Sequence, residues 1–189
     1  MDTKTLLVTG FMPFGTEPVN PSWEAVNALP ERIGAWTVKK LLLPVEFDRA
    51  ADLAAEAANA LHPDAVLCVG LAASRAEITP EAVGLNVRDA SIPDNAGVQP
   101  LGEPVVPDGP AALFSTLDVR AMTEAIKACG IPARLSYSAG TYVCNDLLYS
   151  LLLRFSGTQT RAAFVHIPLA RVLPPDAAVR ALTAAIETI

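Results

Sequence analysis

The sequence predicts an α/β fold: a three-layer sandwich whose mostly parallel, twisted sheet carries helices on both faces. Three observations lead there. Short apolar runs of β-like composition alternate with longer segments of helical period along most of the chain. The first and third of these runs end at a glycine, Gly10 and Gly70, as buried strands that hand over to a connection do. The 189 residues are 51% hydrophobic and 18% charged, which is enough apolar material for one sizeable core and too much for a disordered chain.

Residues 5–9 read as a buried strand closed by Gly10. Asn20 and Pro21 then open a helix, with Asn at the cap and Pro at the first helical position, running through Trp23, Val26 and Leu29 to stop at Pro30. Residues 36–45 form a second strand. Residues 47–62 form an Ala-rich helix with Ala50, Leu53, Ala54, Ala57 and Leu61 at helical spacing, ended by His62-Pro63. Residues 65–69 are a third strand. The rhythm breaks over 71–117, where prolines gather, short alternating pieces such as 83–87 appear, and turns are signalled at Asp94-Asn95 and Asp108-Gly109-Pro110. A stretch of that length without clear helix is commonly functional. Alternation resumes with a helix through Val119, Met122 and Ile126 to Gly130, a strand over 132–137, an apolar helix over 143–155 and a strand over 161–167. A closing helix follows Pro174-Pro175, with Asp176 in its first turn and Val179, Leu182, Ile186 and Ile189 on one face. No repeat or linker divides the chain, so residues 1–189 are expected to form one catalytic domain.

Composition narrows the function. A net charge of −6 argues against nucleic acid as a partner, because phosphate binding needs clustered Lys and Arg. No run of 18 apolar residues occurs, and Met1-Asp2-Thr3-Lys4 lacks the regions of a signal peptide, so a soluble cytoplasmic protein without membrane contact is expected. There are two histidines, His62 and His166, and three cysteines, Cys68, Cys129 and Cys144, without CxxC or HxxxH spacing. A metal site therefore has few ligands to draw on, no cofactor is implied, and the cysteines read as free thiols.

In a parallel sheet the functional crevice lies beyond the carboxyl ends of the strands, here the loops after Thr9, Val69, Tyr137 and Ile167. Gly10-Phe11-Met12-Pro13-Phe14-Gly15 lacks the Lys-Ser/Thr of a phosphate loop; its two phenylalanines suit either the core or a pocket for an uncharged ligand. Cys144, in Ala139-Gly140-Thr141-Tyr142-Val143-Cys144-Asn145-Asp146, falls in the first turn of a helix, where the dipole favours a thiolate and free amides suit an oxyanion. Cys68, inside a strand, and Cys129, near a helix end, read as packing residues. His166 ends a strand and is the candidate base, whereas His62 sits at a helix C-terminus and reads as structural. The orienting acid stays open among Glu77, Glu81, Asp89 and Asp94.

Seven segments carry a resemblance: Gly10-Phe11-Met12-Pro13-Phe14-Gly15, Asn20-Pro21-Ser22, Ile78-Thr79-Pro80-Glu81, Ile92-Pro93-Asp94-Asn95, Asp108-Gly109-Pro110, residues 139–145 and His166-Ile167-Pro168. In this order they closely resemble pyroglutamyl peptidase type I, a cysteine peptidase family. The resemblance implies that Cys144 is the nucleophile, His166 the general base and acid, and Glu81 the group that orients the imidazole. It further implies a pocket of Phe11, Phe14, Ile92, Tyr142 and Val143 for the flat, uncharged lactam of an N-terminal pyroglutamate, and a homo-oligomer, dimer or tetramer. Three positions depart from the common pattern: Leu71 replaces a glutamine, and Ala82 and Ser91 replace arginines. Loss of two cations beside a thiolate raises its pKa. A related amidohydrolase with a drifted pocket, or a catalytically weak binding protein on the same fold, are the alternatives these departures motivate.

Overall fold

In the computed structural model, which describes residues 4–15 and 18–189, the elements follow in the order β1 (Lys4–Phe11), α1 (Pro21–Ala28), β2 (Arg32–Ile33), β3 (Trp36–Leu43), α2 (Arg49–Leu61), β4 (Ala65–Leu71), β5 (Thr79–Glu81), β6 (Val83–Leu85), β7 (Arg88–Asp89), β8 (Leu101–Glu103), β9 (Ala112–Phe114), α3 (Val119–Ala128), α4 (Val143–Arg154), β10 (Arg161–Ile167) and α5 (Pro175–Ile186). The reading of Met1-Asp2-Thr3 lies outside the described residues. A six-stranded sheet runs β2-β3-β1-β4-β10-β5. β3, β1, β4 and β10 are parallel, and the two edge strands are antiparallel to them. Helices α1, α3 and α5 cover one face through Val26, Met122, Ile126 and Leu182, while α2 and α4 cover the other through Ala54, Leu147, Leu148 and Leu151. The central strands are buried on both sides, which is why their sequences read as continuous apolar runs rather than as alternation. Each fully buried Leu, Val or Phe contributes roughly 1.5–3 kcal/mol.

Two sequence expectations change. Residues 132–137 form no continuous strand; they touch the edge of the sheet at Ile78–Ala133 and Glu81–Ser136 only. Four backbone bonds still join the segments: Ile78 N–H to the Pro132 carbonyl, Arg134 N–H to Ile78, Ser136 N–H to Pro80 and Ala82 N–H to Ser136. The donor missing from that ladder is Pro80, which has no N–H. The stretch 71–117, read as irregular, holds five short strands. Strands β6 and β9 pack on α4, whereas β5 joins the edge of the central sheet. A Cβ on Gly84 would lie 3.0 Å from the Tyr149 backbone, so β6 packs directly on that helix. The Asn145 side chain accepts from Leu85 N–H at 2.8 Å and donates to the Leu85 and Val87 carbonyls at 2.9 and 3.0 Å, and Tyr149 Oη donates to the Pro110 carbonyl at 2.7 Å. Among the described residues no helix is long and apolar enough to cross a membrane.

Candidate active site

Cys144 is the second residue of α4. The helix begins after Tyr142, which gives no side-chain cap, so the first-turn N–H groups of Val143 and Cys144 have no acceptor within the helix. Across from them is Gly70, near the carboxyl end of β4. A Cβ there would stand 2.9 Å from Cys144 Sγ and 2.6 Å from Phe164 Cζ, so the thiol occupies space that only a glycine leaves free. The register partner of Gly70 in β10 is His166. Sheet and helix thus bring the cysteine and the histidine to one end of the central strands.

His166 is buried, its ring 4.7 Å from that of Phe164 between centroids. Its Nδ1 lies 2.7 Å from Glu81 Oε1. Glu81 reaches it because β5 runs antiparallel beside β10, pairing Phe164 with Glu81 and His166 with Thr79. Of the four acids that spacing left open, Glu81 is the one with the imidazole as partner. Arg75 donates to the same Oε1, to Thr79 Oγ1 and, through Nη2, to the Ser138 carbonyl at 2.8 Å. Oε2 of Glu81 is buried without a partner.

Electrostatics set the protonation states. Burial pushes His166 below its ordinary 6.5, although the Glu81 contact opposes this, so the ring is neutral. Burial works against the Glu81 carboxylate, but hydrogen bonds led by His166, with Arg75 among them, hold it below its usual range. Burial pushes the Cys144 thiol up to about 12; the charges of Glu81 and Cys68 add to this, and Arg75 counters it. The direction is opposite to the lowered thiol expected from the helix position, because the sulfur is buried. Among the described residues no group of three or more His, Cys, Asp or Glu side chains is placed to hold a metal ion.

Beside Cys144 a small cavity, about 40 Å³, is lined by Phe11, Phe14, Asn20, Val45, Leu71, Tyr142 and Cys144. Three of the expected pocket residues, Phe11, Phe14 and Tyr142, line it. Val143 is fully buried and Ile92 is 46% exposed, and neither contributes to its wall. The Phe14 and Tyr142 rings are 5.6 Å apart, and Phe47 meets Tyr142 edge-on at 5.3 Å. Tyr142 Oη donates to the Pro93 carbonyl at 3.0 Å. Asp94 secures the same bracket, accepting from the N–H groups of Phe47, Ala96 and Val98, and Asn95 Nδ2 donates to the Pro13 carbonyl at 3.1 Å. A much larger cavity, about 510 Å³, lies at the opposite end of the strands against His62, Asp64 and Thr160, away from this chemistry.

Asn20, Val45 and Arg75 are not among the site residues expected from the sequence. Asn20 carried a signal as a helix cap, and its side chain does accept from Ser22 N–H at 3.0 Å while donating to the Met12 carbonyl at 2.9 Å. Of the departures, Leu71 lines the cavity, whereas Ala82 packs in the core on the opposite face of the sheet and Ser91 is exposed. Neither of the two replaced arginines leaves the site without a cation, because Arg75 supplies one.

The family model described as pyroglutamyl peptidase matches residues 4–189. The pyrrolidone-carboxylate peptidase of Escherichia fergusonii is 49% identical over 177 residues, 93% of this chain and 81% of that protein. The one from Streptomyces coelicolor is 47% identical over 180 residues, 94% of this chain and 83% of that protein. The crystal structure of Bacillus amyloliquefaciens pyroglutamyl peptidase I superposes with a TM-score of 0.92 at 40% identity, covering 98% of this chain and 96% of the other. A thiol and an imidazole at one sheet end, a buried carboxylate behind them and a match that runs from the first described strand to the last residue lead to one conclusion: this chain is a peptidase of the pyroglutamyl peptidase family.

Proposed function

We propose that the protein is a cysteine exopeptidase that removes N-terminal pyroglutamate from peptides, with Cys144 as nucleophile, His166 as base and acid, and Glu81 orienting the imidazole. The observation that carries this reading is the buried Nδ1 contact to Glu81, which leaves Nε2 as the ring's working nitrogen at the strand position beside Gly70. Thiol and imidazole both rest neutral, so the thiol proton passes to His166 as sulfur attacks the carbonyl joining pyroglutamate to the next residue. Negative charge then builds on the carbonyl oxygen, where the unmatched first-turn amides of α4 are available. Collapse breaks the C–N bond as His166 returns its proton to the leaving amine, giving a thioester. Water, deprotonated by His166, cleaves the thioester and the thiol regains its proton. The lactam stays closed.

The cavity has no charged side chain in its wall, so an ordinary peptide's ammonium would lose hydration there without a partner. Leu71 in that wall favours a second reading, an amidohydrolase of drifted preference. Release of a chromophore from a pyroglutamyl amide, beside the matching unmodified aminoacyl amide, separates the two. Cleavage of the pyroglutamyl amide alone, lost by at least about 10³-fold in Cys144→Ser and His166→Ala, is expected. Equal rates on both amides favour the second reading, and full activity in Cys144→Ser removes the nucleophile assignment. Assembly into a cytoplasmic dimer or tetramer belongs to the same proposal and is read by light scattering.

A further inference from the structure

We propose that Arg75 is the positioning residue of this site: its guanidinium shares the Glu81 carboxylate with His166 and carries the Ser138 carbonyl, so one side chain locks the acid to the turn that delivers Cys144 and restrains the basicity of the imidazole. The inference rests on the thioester reading above. Three separate segments meet at this group: the loop after β4 that bears Arg75, strand β5 with Thr79 and Glu81, and the turn from Ser138 into α4. Both the guanidinium and the imidazole fall on Oε1 of Glu81, while Oε2 is engaged by neither. The cations compete there. What Arg75 draws from that oxygen is withheld from a proton on His166.

The competition matters twice in each cycle. His166 must be basic enough to take the thiol proton and acidic enough to return it to the leaving amine. An imidazolium paired with a carboxylate that no other cation shared would hold its proton too firmly. The charged groups acting on His166 are Glu81 from β5 and Arg75 from the loop after β4, and the same two groups, with Cys68 of β4, act on Cys144. Arginine suits the task because its planar fork reaches a carboxylate and a carbonyl at once, which an ammonium does less well. Its side chain is 21% exposed, so solvent screens part of its charge.

The test compares Arg75→Met and Arg75→Lys with wild type. It measures kcat and KM on a pyroglutamyl amide across pH, and the pH dependence of Cys144 alkylation by iodoacetamide. Peptide mass spectrometry reads the alkylation, with the exposed Cys129 as internal reference. Arg75→Met should lower kcat about 100-fold with KM held within about threefold, and move the acid limb of turnover and of alkylation up by roughly half a pH unit. Arg75→Lys, which keeps the charge, should return the limb to its wild-type position and recover part of kcat. An unmoved limb, or a change confined to KM, overturns the proposal. Should Arg75→Met lose the wild-type circular dichroism, Arg75→Gln carries the same limb prediction. A wild-type enzyme that leaves the amide intact while its alkylation limb still moves in Arg75→Met overturns the substrate reading and leaves the Arg75 assignment standing.

Discussion

At Gly70 the absence of a side chain makes room for the Cys144 thiol. Cys144 Sγ and Phe164 Cζ both stand within 3 Å of the point a Cβ would occupy. Gly70→Ala must displace the thiol or the ring, so activity should fall at least about tenfold and stability by about 1–3 kcal/mol, read by turnover and urea unfolding. Glu81 is the converse case: in the proposed mechanism it works through its partner. In Glu81→Gln the imidazolium loses its carboxylate, so kcat should drop about 100-fold and the acid limb of the rate profile should move to lower pH. Both residues were readable as letters only. Gly70 closes a strand in any reading, and Glu81 is one acid among four by spacing, named by the family resemblance alone, with the edge strand β5 laying it beside His166.

The elements on the sheet's long strands follow their hydrophobic pattern; the short pieces do not. Strand β5 hides in the sequence because it is three residues long with a proline in the middle. Residues 132–137 have a strand's pattern but only isolated bridges, because pattern carries no record of the N–H that Pro80 fails to supply. Pairing across distant segments is likewise invisible in a linear pattern. Arg88 donates from Nε to Asp146 Oδ1 at 2.7 Å and pairs with Asp48, while its guanidinium sits 5.7 Å over the Phe47 ring. Asp48, at φ 57° and ψ −50°, holds a strained positive-φ backbone that its N–H bond to Asp146 Oδ2 helps to maintain. This cluster ties the first turns of α2 and α4 together behind the pocket aromatics. Asp146 is fully buried, and burial raises its pKa even with Arg88 beside it. Arg88→Met should therefore cost about 3 kcal/mol, with much of the loss recovered in Arg88→Met/Asp146→Leu, by urea unfolding. The loss in the single variant should be larger at mildly alkaline than at mildly acidic pH, because a stranded Asp146 escapes its penalty by protonating.

For the molecule as a whole, the buried dyad ties stability to pH. His166 binds its proton more weakly folded than at its ordinary 6.5, so its contribution is present above that value and is lost as pH falls through the folded one. Glu81 is held below its ordinary 4.5, so its contribution is present above 4.5 and is lost further down. The urea midpoint should fall from about pH 6.5 downward, and His166→Gln should lack the upper part of that fall.

The sequence by itself determined the layered α/β class, the long strands and helices, and the placing of Cys144 and His166 at the carboxyl ends of strands. Periodicity and capping are local, and one chain's pattern is enough to read them. Only the tertiary structure shows Glu81 in contact with the imidazole and Arg75 sharing it, a cavity wall that includes Asn20, Val45 and Leu71 rather than Ile92 or Val143, and burial that pushes the thiol up. Each of these depends on desolvation or on contacts between segments far apart in the chain. Neither quantity exists until the sheet has brought those segments together.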